Sequence, residues 1–276
     1  MRVDAHQHYW RFDPVRDAWI TPAMGVIRRD FLPGDATPLI AAAGIDAVVA
    51  VQADQSPAET RFLLDLAASN PFIRGVVGWI DLRADDLDEQ LAAHAPARRL
   101  VGFRHIAQAE PNDWLARDDV ARGVATLGRH GYAYDILVYP PQLAAAEVLV
   151  QRCEGVRFVL DHCAKPPLAR GDLAAWRAGL AALARHPHVT CKLSGLVTEA
   201  AWDRWTDATI VPALDAALDA FGPSRLMFGS DWPVCLLAAS YARVHDVVAR
   251  WAAALGAGER AQLFGDTAVA TYRLEA

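Results

Sequence analysis

Cysteine is scarce in this 276-residue chain, and no two of Cys153, Cys163, Cys191 and Cys235 are spaced as C-x-x-C. That argues against a disulfide framework and makes a reducing cytosol the natural setting. Buried cysteine usually serves as a small hydrophobe, so Cys163, Cys191 and Cys235 are not taken as ligands or nucleophiles. Basic charge is also short, with 27 Lys and Arg against 33 Asp and Glu and a net charge of −6. A nucleic-acid partner needs a basic face and is therefore not expected. No apolar run approaches the ~18 residues of a membrane span. No leader is expected either, because the chain enters a polar, histidine-bearing strand at residue 2. Linkers, low-complexity stretches and charge blocks are missing, so residues 1–276 are read as one domain.

What is present is a long alternation of β-rich runs with Ala/Leu-rich helical stretches, in a chain that is 53% hydrophobic. The pattern predicts strands at Arg2–His8, Ile45–Ala53, Ile73–Leu82, Leu100–Ile106, Tyr132–Tyr139, Val156–Cys163, Val189–Gly195 and Arg225–Ser230. Helices are expected between them at Ala36–Ala43, Ser56–Asn70, Asp85–His94, Asp118–His130, Gln142–Cys153, Asp172–Arg185, Ala200–Phe221 and Leu236–Leu255, with a short one near Glu259–Tyr272. The second helix opens Ser-Pro-Ala-Glu, which reads as a capping box with Ser56 at the N-cap and Glu59 at N3. Eight strands alternating with eight helices predict a single (β/α)8 TIM-like barrel, for which ~250 residues is typical. A doubly wound sheet is the competing fold, but the first strand opens no glycine-rich phosphate turn. The connection at about 9–35 is unusually long and carries Trp10, Arg11, Phe12, Arg16, Trp19, Arg28 and Arg29. Such loops are usually functional, and in a barrel this one is expected over the active site.

The chemistry-bearing residues fall at strand ends. The first strand reads Val3-Asp4-Ala5-His6-Gln7-His8. In a regular strand Asp4, His6 and His8 share a face, and two neighbouring imidazoles make half of a metal site. Later strand ends bring Asp81, the adjacent Arg104 and His105, Asp161 with His162, Lys192 with Ser194, and Ser230 with Asp231. A barrel places its active site at this end. His162 and Asp231 complete a possible metal set with His6 and His8, since zinc takes imidazole nitrogen and carboxylate oxygen. Asp231 serves equally well as a general base. Arg104 and Lys192 suit substrate oxygens or a developing oxyanion. Only one of Arg104 and His105 can face the lumen.

The stretches DAHQHYW, GFRH, LDHCAKPP, CKLSGL and FGSDWPV, in this order along the chain, resemble the amidohydrolase superfamily, and within it the sugar-lactonase branch. The resemblance implies a distorted barrel of amidohydrolase type that hydrolyses an ester at its C-terminal face. By position it makes His6 and His8 the first-strand metal pair, His162 the later-strand histidine and Asp231 the aspartate that activates water. It departs from the binuclear pattern, for Arg104-His105 stands where those members carry a bridging ligand and the fifth strand has no histidine. One Zn2+, or none, is the cofactor expectation. The expected activity is hydrolysis of a small aldono-lactone, with Asp231, His162 and Arg104 or His105 catalytic. Trp10, Arg28, Asp81, Lys192 and Ser194 are the expected substrate-binding residues. A zinc-dependent decarboxylase of an aromatic or enoic acid is the alternative. The expected partner is a small-molecule lactone, with no nucleic acid or membrane, for a cytoplasmic monomer or homodimer.

Overall fold

The computed structural model describes residues 1–275. Eight parallel strands run in sequence order: β1 Val3–Gln7, β2 Ala47–Val51, β3 Ile73–Gly78, β4 Leu100–His105, β5 Ala133–Ile136, β6 Arg157–Leu160, β7 Val189–Leu193 and β8 Leu226–Phe228. The helices between them are α1 Pro33–Ala42, α2 Pro57–Ser69, α3 Leu87–His94, α4 Asp118–Arg129, α5 Leu143–Arg152, α6 Ala174–Ala184, α7 Asp207–Phe221 and α8 Tyr241–Ala252. Short helices α9 (Ala257–Ala261) and α10 (Thr267–Tyr272) follow. This is the expected (β/α)8 barrel. Its strands are shorter than their apolar runs, because each run continues into the loop that carries the polar strand-end residues. No described helix is long and apolar enough to cross a membrane.

Strands such as Ala47-Val48-Val49-Ala50-Val51 are apolar throughout because both faces are buried, one against the helices and one inside the barrel. The outer layer is a large apolar core. A smaller inner cluster joins Val3, Ala5, Val49, Val77, Val159 and Met227 to Tyr272 and Leu274 at the C-terminal end of the chain. In β5 Ala133 is followed two residues on by Asp135, and Val159 of β6 is followed by Asp161 one residue past the strand's end. The period of two thus sets a carboxylate above an apolar residue on one face of each strand.

β1 departs from regular alternation. Its pairing with β2 runs Asp4↔Val48 and then Gln7↔Ala50, so one extra residue is inserted. The bulge separates Asp4 from His6 and His8, correcting the expectation that all three share a face. Asp4 instead accepts hydrogen bonds from Gln7 Nε2 (2.7 Å), Tyr241 OH (3.1 Å) and the Ser230 backbone N–H (2.8 Å). It thereby clamps β1 to the end of β8 and to α8. Barrel closure follows directly above, where the Asp231 N–H donates to His6 O at 2.9 Å and the His8 N–H to Trp232 O at 2.7 Å. The bonds that close the barrel are therefore made by the backbone of the candidate site residues.

The capping box at α2 forms by half. Ser56 Oγ accepts from the Glu59 N–H at 3.2 Å, but Glu59 turns its carboxylate to the Ala53 N–H at 3.0 Å. Burial pushes the Glu59 carboxyl up to about 7.

The β1–β8 seam leaves no room for a side chain at Gly229. A Cβ there would lie 2.8 Å from His6 Cβ and 3.0 Å from Ser194 Cβ. Gly229→Ala is expected to cost about 1–3 kcal/mol by overpacking, read as a lowered Tm in thermal unfolding. An unchanged Tm would show that the seam has slack.

Candidate active site

The floor of the barrel mouth is built from buried charges. Arg104 Nη1 donates to Asp161 Oδ2 at 2.9 Å, and Nη2 donates to the Gln52 carbonyl. Lys192 Nζ lies 2.6 Å from Asp135 Oδ2 and 3.0 Å from Asp161 Oδ1. Tyr272 OH donates to Asp135 Oδ2 at 2.7 Å. These four charged side chains are buried, two of each sign. Removing one partner of such a set leaves an uncompensated buried charge, at a cost of roughly 3–5 kcal/mol. Burial alone would raise the Asp161 carboxyl, but Lys192, His6 and Arg104 outweigh it and hold it well below the ordinary value. Burial dominates at Asp135 and pushes it up to about 6.

His6 stands in the middle of this network. Its Nδ1 is 3.3 Å from Asp161 Oδ1 and 3.2 Å from Lys192 Nζ. Its Nε2 is 3.2 Å from His8 Nε2, 3.3 Å from Arg104 Nη1 and 3.8 Å from Asp231 Oδ1. His8 Nδ1 is 2.7 Å from the Val51 carbonyl, which can only accept, so Nδ1 carries the proton and Nε2 presents a lone pair. That lone pair lies 3.4 Å from Asp231 Oδ1, itself an acceptor when ionised. Three ligand atoms therefore converge on one point. Their separations of 3.2, 3.4 and 3.8 Å bracket the edge of about 3.3 Å that tetrahedral zinc at about 2.0–2.1 Å requires. Asp161, facing His6 Nδ1, offers an acceptor for the imidazole proton that must leave Nε2 when a cation binds there. The donor set fits a metal of zinc's chemistry.

A second group of three, His6, Asp161 and His162, also lies within ligand distance. There, however, Asp161 already holds the guanidinium of Arg104 and the ammonium of Lys192. Two fixed cations make that second position hostile to a divalent ion.

Local backbone strain presents the remaining groups. His162, Cys163, Ala164 and Lys165 all have positive φ, at 54°, 50°, 56° and 51°, and Asp231 has φ 57°. Such residues persist where the surroundings over-determine them, typically at functional sites. The sequence reading extended β6 through Cys163, but the strand stops at Leu160 and a left-handed turn swings His162 into the mouth. Gly195, at φ 61°, makes room for it, since a Cβ there would fall 2.6 Å from His162 Nδ1. Ser194 Oγ lies 2.8 Å from that same nitrogen. His162 Nε2 is 4.0 Å from Asp231 Oδ1. Burial pulls the His162 imidazole down to about 4. Burial also pushes the Asp231 carboxyl up, but the imidazoles of His162, His8 and His6 outweigh it, leaving it below the usual carboxylate range.

A cavity of about 330 Å³ opens above these groups, with His8, Arg104, His162 and Asp231 on its walls. The strand-end expectations divide against this geometry. His6, His8, His162, Asp231 and Arg104 meet at the mouth, with His6 in the floor. His105 does not, because alternation along β4 turns it outward, where it stacks on Trp114 at 4.2 Å and bonds Glu110 at 2.9 Å. Lys192 lies fully buried beneath the cavity, outside its lining, with its ammonium against Asp135, Asp161 and His6. Ser194 serves His162. Trp10 is buried behind Trp19, edge to face at 5.9 Å, so Trp19 is the tryptophan on the cavity wall. Arg28 bonds the Ile20 carbonyl and lies outside the lining. Asp81 falls three residues beyond β3 and pairs with Arg83 in solvent. The cavity also takes Gln55, Gln108 and Lys165. Of these only Lys165 lay in a stretch that the sequence marked, LDHCAKPP. Gln55 and Gln108, in the connections after β2 and β4, carry no such signal.

The amidohydrolase family profile matches residues 3–274. The chain is 50% identical to the L-fucono-1,5-lactonase of Burkholderia multivorans over 99% of its own length and 96% of that protein. It is 37% identical to the L-fucono-1,5-lactonase of Burkholderia ambifaria over the same shares. A crystal structure of an amidohydrolase from Burkholderia multivorans with bound zinc superposes with a TM-score of 0.97 at 49% identity, covering all of both chains.

The convergence of His6, His8 and Asp231, set against the cation-filled second position, predicts one zinc per chain. Titration of metal-free protein with zinc, followed by elemental analysis, is expected to saturate at one equivalent, and His8→Ala to lose that ion. Two tightly held ions per chain would contradict the geometry.

Proposed function

Because the chain belongs to the amidohydrolase family, we propose that it hydrolyses a sugar lactone, with L-fucono-1,5-lactone as the foremost substrate. The observation that carries this is a buried carboxylate, Asp231, kept ionised among three imidazoles on the wall of a cavity that suits one small ring. The two lactonases at 50% and 37% identity support the substrate class.

The lactone occupies the cavity that Arg104 and Trp19 line. Asp231 takes a proton from water as the water oxygen attacks the carbonyl carbon. The former carbonyl oxygen gains negative charge, which the buried guanidinium of Arg104 stabilises without reorganising, since Asp161 and Gln52 already hold it. The acyl–oxygen bond of the ring then breaks, and the departing ring oxygen takes the proton from Asp231. The aldonic acid so formed ionises, releasing a proton to solvent. His6, His8 and Asp231 are the residues that would hold zinc, which when bound supplies Lewis acidity and lowers the pKa of water. Ser194 keeps the His162 ring in place from behind. The four cysteines are free and buried, which accords with the reducing cytosol that we take as its compartment.

A panel of aldono-lactones assayed near neutrality by proton release, with spontaneous hydrolysis subtracted, is expected to give turnover on L-fucono-1,5-lactone. Asp231→Asn should lose about 10²–10⁴-fold in kcat. Silence across the panel, or carbon dioxide release from an aromatic or enoic acid instead, would overturn the lactonase reading.

A further inference from the structure

Hydrolysis turns a neutral, compact ring into an anion with an open chain, and the protein must let go of that anion beside the carboxylate of Asp231. The cations of the floor are fixed in place, so Arg104 can meet the developing oxyanion but cannot travel with the product. Arg104 is held by Asp161 and the Gln52 carbonyl, and Lys192 by Asp135 and Asp161, with no exposure of the lysine. Lys165 is different. It ends the left-handed turn that begins at His162. Its ammonium has one ion-pair partner among the described residues, Glu199 Oε1 at 3.3 Å, and lies 5.2 Å from the centroid of the Tyr139 ring. An ammonium has three donors, so Lys165 has capacity to spare.

Its position adds to this. Lys165 lines the catalytic cavity and also a second cleft of about 600 Å³ whose walls include Tyr139, Arg170 and Glu199. Gln108 is the other residue common to both walls, and its Oε1 is buried with no hydrogen-bond partner. The two side chains stand between a small reaction chamber and a larger cleft.

We infer that Lys165 binds the carboxylate of the aldonate product and carries it from the catalytic cavity toward the adjoining cleft, with Glu199 as the competing partner that takes the lysine back. This rests on the lactonase reading. The neutral lactone gains little from the ammonium, whereas the anion gains a charge-assisted hydrogen bond, so Lys165 discriminates product from substrate. Glu199 sets the strength of that grip, because every product ion must displace it.

The test is product inhibition by L-fuconate, measured against L-fucono-1,5-lactone in wild type, Lys165→Met, Lys165→Arg and Glu199→Gln. Lys165→Met is expected to raise the inhibition constant about 10- to 100-fold, the worth of one charge-assisted hydrogen bond, and to change the KM of the neutral lactone much less. Lys165→Arg should restore most of the inhibition. Glu199→Gln should move the constant the opposite way, tightening fuconate. Wild-type inhibition constants in both Lys165→Met and Glu199→Gln, or shifts in the same direction, would overturn the proposal. Should Lys165→Met fail to fold, Glu199→Gln alone decides, since unchanged or weakened fuconate binding contradicts it. A wild-type protein inert on every lactone would instead refute the activity on which this inference rests.

Discussion

Four buried charges hold the mouth of this barrel together. Arg104, Asp161, Lys192 and Asp135 form a chain of ion pairs between 2.6 and 3.0 Å, closed underneath by the Tyr272 hydroxyl. Such a set contributes little net stability, because desolvation offsets most of the attraction. Its value lies in geometry. The imidazole of His6 touches Asp161 and Lys192 on one side, and Arg104, His8 and Asp231 lie close to its other nitrogen. The ring can neither rotate nor exchange protons freely without disturbing a buried charge. The same ions fill the space beside Asp161 in which a second cation would need room, which supports the single-metal reading proposed above, and they fix the ring of His6.

Above the ions, the mouth is assembled from strained pieces. Five non-glycine residues with positive φ belong to two segments, His162–Lys165 and Asp231. Neither would hold this shape in isolation. Asp231 is held by its N–H bond to His6 O and His162 by its contact with Ser194, and Gly195 and Gly229 let the backbones come close enough for both. Stability and reactivity are thus linked through the β1–β8 seam. The hydrogen bonds that close the barrel also position the carboxylate and the imidazoles.

Much of this was legible in the sequence, for identifiable reasons. Period-two alternation and long apolar runs gave the eight strands. His6, His8, Arg104, His162 and Asp231 were visible because a polar residue at the end of an apolar run is costly unless it is used. What alternation could not show is where alternation stops. The bulge in β1 parts Asp4 from the histidines, and the early end of β6 moves His162 onto a turn. Nothing in the composition of residues 9–35 distinguishes Trp10, which is buried, from Trp19, which is 42% exposed and lines the cavity. A charged lysine at a strand end suits substrate oxygens or a developing oxyanion, and the sequence alone does not show that this one is buried. Its burial follows from two aspartates, Asp161 at the end of the adjacent β6 and Asp135 on β5 beyond it, and only the register of β5, β6 and β7 reveals that.

The account depends most on Asp161, which touches Arg104, Lys192 and His6 but is absent from the walls of the cavity. The direct measurement is kcat/KM for L-fucono-1,5-lactone in Asp161→Asn, taken on protein whose circular dichroism and melting show that it is folded. The amide keeps the shape and removes the charge that holds Arg104 and faces His6 Nδ1. A loss of about 10- to 100-fold, as supporting partners of metal-site histidines typically give, is the predicted result. A folded Asp161→Asn protein with wild-type kcat/KM would contradict the claim that the buried ions organise the site.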